Sequence, residues 1–228
     1  MEISPDLTVY FSYEFIKLND TLIFTWIVMF ILVAFSWLVT RRVTSSSIIS
    51  DKQNFLEILV DGLLTQIEGA TNQHPERFLP LLGTLFIFIL VSNILSAVPG
   101  FSPPTGSLST TTAFSLIVFL AVPYYGIKEN GLVNYLKSYV QPSPLMLPFN
   151  IIGEVSRTFA LAVRLFGNIL SGTMMGAILL VIMPLLVPVI MQLLGLLIGV
   201  VQAYIFTVLA AVFIAAGLEV HSESGQKV

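Results

Sequence analysis

FALAVRLFGN, residues 159–168, decides the fold, because it places Arg164 deep inside an apolar run. The run extends from about Pro148 to Ile182, so each end lies 16 to 18 residues from Arg164. At 1.5 Å per helical residue this is roughly 25 Å, beyond the reach of a snorkelling side chain. A charge at that depth costs about 2.5–3.5 kcal/mol and by default marks an ion or substrate pathway. Since arginine keeps its proton, the sequence predicts an acidic partner, supplied by this chain or by another.

The composition is that of a polytopic, all-α membrane protein. Of 228 residues, 56% are hydrophobic and only 10% are charged. The net charge of −3 and the absence of a basic cluster argue against nucleic acid as a partner. With no cysteine there is no disulfide framework and no thiolate metal site. We expect neither a metal nor a cofactor.

Five membrane-embedded segments are expected from the apolar runs. They are Thr21–Thr40, Phe78–Val98, Thr112–Ile127, Pro148–Ile182 and Leu185–Leu218. The last two are each roughly 50 Å long as helices, against a hydrocarbon core of about 30 Å. We therefore predict a long, tilted hairpin about Met183-Pro184. The connection Pro99–Thr112 is interpreted as an ordinary polar loop.

The chain divides into four parts on this interpretation. Residues 1–20 form an outer N-terminal segment, and 21–77 hold the first membrane helix and an inner amphipathic helix. Residues 78–218 form an ion-translocating membrane core, and 219–228 a cytoplasmic tail. The amphipathic stretch Asp51–Gly69 either lies on the membrane, docks a partner or closes the protein's own inner face; its apolar stripe is Phe55, Leu56, Leu59, Leu63 and Ile67. A short interfacial helix is expected within Gly131–Leu147.

Basic residues set the predicted orientation. Seven fall on one side of the membrane and only Lys17 on the other: Arg41, Arg42, Lys52, Arg77, Lys128, Lys137 and Lys227. The positive-inside rule then puts the N-terminus outside and the C-terminus in the cytoplasm. The acidic N-terminus has no basic region of a secretory signal, which favours retention of the first helix and a bacterial plasma membrane as host.

Polar residues of the fourth segment form one stripe. At 100° per residue, Arg164, Asn168, Ser171 and Glu154 fall within about 60° of Arg157, and glycine and alanine flank the same face. Such a face meets another helix or a water-filled cavity rather than lipid. Ordinary helix packing would explain the small residues alone, but not two arginines and a glutamate beside them.

The fifth segment carries a matching residue, Gln202. Counting from Met183, Arg164 lies 19 residues before the turn and Gln202 lies 19 after it, so a hairpin sets both at one depth. Depth sorts the other polar groups into two half-paths that meet at Arg164. The inner set is Glu154, Ser156 and Arg157; the outer set is Asn168, Ser171, Thr173, Gln192, Asn93 and Ser96.

These motifs resemble subunit a of the F-type ATP synthase. The resemblance rests on Arg164-Leu165-Phe166-Gly167-Asn168 and on Gln202-Ala203-Tyr204-Ile205-Phe206, with support from Pro80–Thr84 and Ser92-Asn93-Ile94. It implies a ring of carboxylate-bearing c subunits, b-type peripheral stalk subunits and, indirectly, a catalytic headpiece. Arg164 would face each passing carboxylate, Gln202 would lie beside it, and Asn168 would line the outer half-channel. The chain itself would not be a catalyst.

Three positions depart from the pattern of this family. Members often carry titratable residues where this chain has Thr173, Gly195 and Ser96. Protons are the commoner coupling ion of the family, and water can bridge neutral groups. Neutral oxygen ligands suit Na⁺ as well, so sodium remains the alternative.

Two other classes of protein require features that this sequence does not show. A self-contained transporter that binds an anion at Arg164 would show an internal repeat, and none is seen. An intramembrane protease would need metal ligands or a nucleophile pair, yet His74 and His221 both lie outside the spans.

Overall fold

A computed structural model of the protein describes residues 9–13, 16–41, 51–71, 75–98, 100–140, 145–182 and 187–219. Some expectations fall outside these residues. They concern residues 1–8, the tail beyond Glu219, the turn at Met183-Pro184, Arg42, His74 and His221. The side chains of Phe55, Leu56 and Leu59 also lie outside the described part.

Helices make up almost all of the described chain, which confirms the all-α membrane fold. They are α1 (Asp20–Thr40), α2 (Asp51–Thr71), α3 (Leu79–Leu95), α4 (Leu108–Asn130), α5 (Leu132–Val140), α6 (Met146–Ile182) and α7 (Val187–Glu219), with 3-10 turns at Pro75–Arg77 and Pro104–Gly106. Before α1, the strands β1 (Val9–Tyr13) and β2 (Ile16–Asn19) pair antiparallel. This hairpin was not predicted for the N-terminal segment.

Within the described residues, four helices are long and apolar enough to cross a membrane, namely α1, α4, α6 and α7. The shorter α3 is a fifth apolar helix of 17 residues. With 37 and 33 residues, α6 and α7 reach about 55 and 50 Å, well beyond a hydrocarbon core of about 30 Å. Helices of this length are accommodated by tilting, by kinking or by local thickening of the bilayer.

The core lies where α3, α4, α6 and α7 pack together. Leu82, Ile89, Leu165, Phe206 and Ile214 are completely buried there. Small residues on α7 let its neighbours approach closely. A Cβ on Gly217, for example, would lie 2.6 Å from Cγ1 of Val122 on α4. Close packing of this kind holds membrane helices together because lipid provides little hydrophobic force between them.

The connection between α3 and α4 contradicts the expectation of an ordinary polar loop. Pro104, Thr105 and Gly106 are buried, and α4 begins at Leu108 rather than at Thr112. Hydroxyl groups explain the early start, because they satisfy themselves within the helix. Thr111 donates to the carbonyl of Leu108 at 3.1 Å, and Ser115 to that of Thr112 at 2.9 Å.

The amphipathic helix α2 packs against the protein's own helices. Leu63 and Ile67 are buried, and Leu63 reaches α3 beside Gly83. On α7, the hydroxyl of Tyr204 donates to Oε1 of Gln66 at 2.7 Å. Three roles were predicted for this helix. These contacts support the one in which it closes a face of the protein itself.

Candidate functional site

Arg164 lies on an exposed face of α6, next to the buried Leu161 and Leu165. Among the described residues it has neither an ion pair nor a hydrogen bond, in contrast to Arg77, which pairs with Glu129 at 2.6 Å. The acidic partner predicted for Arg164 is therefore not supplied by the described part of the chain.

The surface around Arg164 is open. Gly153 and Gly167 on the same helix face, and Gly195 on α7, have no atom within 4 Å of the position a Cβ would take. Ala160 is exposed as well. The small-residue face predicted beside Arg164 thus does not pack against any described helix of this chain.

Gln202 is buried at the edge of the packed face of α7, with 6% of its surface exposed. Its Nε2 atom has no hydrogen-bond partner in the described residues. A buried amide N–H without a partner costs about 1–3 kcal/mol, so such a group usually faces water or a ligand.

A series of contacts connects α6, which carries Arg164, to α7, which carries Gln202. Ile169 on α6 abuts Gly106 of the buried turn, where a Cβ would lie 3.1 Å from its Cγ2 atom. Next to Gly106, Thr105 donates its hydroxyl to Oδ1 of Asn93 at 2.9 Å. The Nδ2 atom of Asn93 in turn donates to the carbonyl of Gly199 on α7, also at 2.9 Å.

Ile169 and Gly199 are thus linked across α3 and the buried turn. Arg164 lies five residues from Ile169, about 7.5 Å along α6, and Gln202 lies three residues from Gly199, about 4.5 Å along α7. Both steps lead away from the connection between α6 and α7. Arg164 and Gln202 therefore lie on the same side of this link, the side away from the connection between α6 and α7.

A cavity of about 340 Å³ opens between α4, α6 and α7, toward the C-terminal end of α7. Glu154, Arg157 and Asn150 line it, and the guanidinium of Arg157 lies 5.8 Å from the ring centroid of Phe213. The structure thus brings Glu154 and Arg157 to one cavity that is large enough for several water molecules. Ser156, the third residue of the predicted inner set, is exposed and does not line this cavity. The structure therefore does not bring it together with Glu154 and Arg157.

The other predicted polar residues lie toward the end where α6 meets α7, called here the connection end. Asn168 is half-buried, whereas Ser171 and Thr173 are exposed and donate to the carbonyls of Asn168 (3.0 Å) and Leu170 (2.9 Å). Gln192 donates from Nε2 to the carbonyl of Ala97. Ser96 donates to the carbonyl of Asn93 at 2.6 Å. Gln192 and Ser96 thus lie with Asn93 at the junction of α3 and α7.

Sequence reasoning missed the buried polar groups of the α3–α4 connection and of α4. Thr105, Ser107, Thr111 and Ser115 are at most 1% exposed. The clustering of Thr105, Ser107 and Thr111 in a Ser/Thr-rich stretch was the available signal, but the stretch was interpreted as an ordinary polar connection. Ser115 fell within the predicted third segment and was not singled out. Asn150, which lines the cavity with Glu154, was also missed.

No group of three or more metal-ligating side chains occurs in the described ranges. The site consists of a positive charge on an open face of α6, a buried glutamine on the neighbouring α7, and polar groups on either side. Charged and polar side chains placed in this way within apolar helices are typical of the class of membrane proteins that move ions.

Comparison with known proteins gives the family. The family model of the ATP synthase A chain matches residues 22–215. The chain is 56% identical to ATP synthase subunit a 2 of Acaryochloris marina, over 99% of this chain and 97% of the relative. It is 51% identical to ATP synthase subunit a of Albidiferax ferrireducens over the whole of both chains. The chain belongs to the ATP synthase subunit a family, whose members are the non-catalytic subunits of the membrane sector.

Proposed function

We propose that this subunit is the stator element through which ions reach and leave a rotating ring of c subunits, each bearing a carboxylate within the membrane. One observation carries the proposal: Arg164 stands on an open face of an apolar helix without a partner among the described residues. A guanidinium cannot face hydrocarbon at that depth, so a negative group from another chain must meet it.

The proposed exchange follows from electrostatics. At an effective dielectric constant near 20, opposite unit charges 4 Å apart attract by about 4 kcal/mol. This attraction favours the ionised carboxylate and hence the release of its bound cation. Gln202 lies on the neighbouring helix α7, and its buried Nε2 atom has no partner among the described residues. In this proposal its side chain turns outward and supplies a neutral donor to the same carboxylate.

Two half-paths lead to Arg164 in this proposal. The inner one runs from the cytoplasm through the cavity of Glu154 and Arg157. The outer one follows the connection end, along Asn168, Ser171, Thr173, Gln192 and the Asn93–Ser96 region. Because a fixed positive charge repels cations, Arg164 prevents ions from passing directly between the half-paths. They cross only on the ring, and ion flow is thereby coupled to rotation.

The assembly required is a complete rotary ATP synthase in a bacterial plasma membrane, with the N-terminus outside and the C-terminus in the cytoplasm. Beside the c-ring it includes b-type stalk subunits and the catalytic headpiece. Affinity purification of the tagged chain in mild detergent tests this assembly. We expect c and b subunits at fixed ratios to it, whereas recovery of an active transporter from the chain alone would contradict the proposal.

Protons are the proposed coupling ion, carried along the outer half-path by water that bridges the neutral side chains. Sodium is a second candidate, and one observation favours it. The buried side chains described at the connection end, such as Asn93, Thr105, Thr111 and Ser115, offer amide and hydroxyl oxygens but no group that titrates near neutral pH.

A sodium titration separates the two ions. ATP hydrolysis by the detergent-solubilised complex is measured from zero to high-millimolar Na⁺ at alkaline pH. For protons, we expect activity independent of Na⁺. Strong stimulation, together with protection of the ring from carboxylate-modifying reagents by Na⁺, would replace the proton by sodium and leave the role of Arg164 unchanged.

A further inference from the structure

Asn93 is the centre of a buried polar link between three elements. It is 1% exposed, and both polar atoms of its amide have protein partners. Nδ2 donates to the carbonyl of Gly199 on α7, and Oδ1 accepts from the hydroxyl of Thr105 in the buried turn, each at 2.9 Å. Because protein groups engage both atoms of its amide, Asn93 holds these elements together beside the outer half-path.

Glycine at position 199 is a condition of this link. A Cβ there would lie 2.8 Å from Cβ of Asn93, closer than real Cβ atoms approach. The buried turn is also tightly packed against α6, since a Cβ on Gly106 would lie 3.1 Å from Cγ2 of Ile169, closer than most Cβ contacts. The turn thus fills the gap between α6 and α3 and leaves little room for a larger residue.

Both ends of the link lie close to the two residues proposed to meet the ring carboxylate. Gly199 precedes Gln202 by one helical turn, and Ile169 follows Arg164 by about one and a half turns. A shift of α7 by a single residue would displace Gln202 by about 1.5 Å and rotate it by about 100°. Contacts at this point therefore fix the position of Gln202 relative to Arg164.

We propose that Asn93, Thr105 and Gly199 form a clamp that sets the level and rotation of Gln202 against Arg164, so that both meet one ring carboxylate. These three are positioning residues, and the proposal rests on the proposed function of Arg164 and Gln202. It assigns to the α3–α4 connection a part in ion coupling that its loop-like sequence does not suggest.

Pulsed electron paramagnetic resonance tests the position directly. The native chain has no cysteine, so spin labels attach only to cysteines introduced by Val163→Cys and Val201→Cys, two exposed sites beside Arg164 and Gln202. The label–label distance is measured in the assembled complex, alone and with Asn93→Leu, Thr105→Val or Gly199→Ala. Gly172→Ala is the matched control, since its added Cβ meets no atom within 4 Å.

We expect the distance to shift by about 2 Å or more, or to broaden by that amount, in the three clamp variants and to stay unchanged in Gly172→Ala. In complexes without labels, the same variants should lower the ions pumped per ATP hydrolysed by at least about threefold, normalised to the amount of assembled subunit. Thr105→Val keeps the side-chain volume and decides the matter if a larger change prevents assembly. An unchanged distance in Thr105→Val would overturn the clamp.

The outcomes also separate this proposal from the proposed function. A shifted distance with normal coupling would retain the link as a structural contact, but would contradict both its role in coupling and the need for Gln202 at the level of Arg164. Loss of assembled subunit with normal pumping per assembled complex would likewise overturn the positioning role. An unchanged distance would leave the proposed function of Arg164 intact.

Discussion

Two arginines of this chain differ in whether the described residues supply a partner for their charge. Arg77 lies at the exposed end of the bundle and pairs with Glu129 at 2.6 Å, an arrangement that contributes about 0–1 kcal/mol. Arg164 lies inside an apolar span and has no partner among the described residues. Sequence position revealed the depth of Arg164, but only the structure revealed the missing partner.

Lysine in place of Arg164 should impair the subunit severely. Arg164→Lys keeps the charge but loses the planar guanidinium, which donates to both oxygens of a carboxylate at once. We expect ATP-driven pumping to fall by roughly tenfold or more in membranes with normal amounts of assembled complex. Pumping close to that of the unmodified protein would show that a point charge suffices at this position.

Glu154 should matter for transport more than for assembly. Glu154→Gln removes the charge from the wall of the 340 Å³ cavity while keeping the size of the side chain. Slower pumping, by a factor of about three to ten, is expected in the intact complex. The control is Ser156→Ala, two residues away and outside the cavity, which should pump normally. Dissociation of the Glu154→Gln complex would instead identify Glu154 as a structural residue.

At the scale of helices, the tightness of each contact depends on a few small residues. Gly217 of α7 packs against Val122 of α4 so closely that a methyl group has no room, whereas a Cβ added at Gly172 of α6 would meet no atom within 4 Å. Both are helical glycines in long apolar segments, so sequence alone does not separate them. The difference arises from which face of each helix meets another helix.

This difference predicts opposite effects of one substitution. Gly217→Ala should destabilise the subunit by about 1–3 kcal/mol through overpacking. Gly172→Ala should be neutral or stabilising by up to about 1 kcal/mol, because alanine favours the helix. The midpoint of thermal unfolding in detergent checks both. Equal midpoints for the two variants would contradict the α4–α7 packing described here.

Element boundaries were predictable where hydropathy decides them and were wrong where hydroxyl groups decide them. The long helices α6 and α7 begin and end within two residues of their apolar runs. The start of α4 was missed by four residues, because Ser109–Thr112 resembles a polar loop. In an apolar environment Ser and Thr satisfy their hydroxyls on their own helix, so such a stretch can be helical and buried.

Across the whole molecule, the sequence predicted the polar residues of the candidate site but not the contacts that hold the helices around it together. Arg164, Gln202 and Glu154 stand out because polar residues are rare in apolar runs. In the Thr105–Asn93–Gly199 link, Asn93 lies 12 positions from Thr105 and 106 positions from Gly199. The link crosses three elements, and no periodic pattern in the sequence predicts it. Such links depend on how helices meet, which a single sequence does not contain.

The central claim concerns the whole complex: the charge of Arg164, which has no partner among the described residues, couples ion flow to rotation of the ring. Arg164→Ala removes it, and the most direct measurement is ATP-driven ion uptake by vesicles that contain the assembled complex. The control is Arg77→Ala, which removes an arginine from the ion pair at the bundle end.

We predict that uptake in Arg164→Ala vesicles falls to background, at least about a hundredfold below the unmodified complex, because the ring carboxylate is no longer induced to release its ion. Uptake in Arg77→Ala vesicles should stay near normal. Near-normal uptake in Arg164→Ala vesicles, at equal amounts of assembled subunit, would contradict the mechanism.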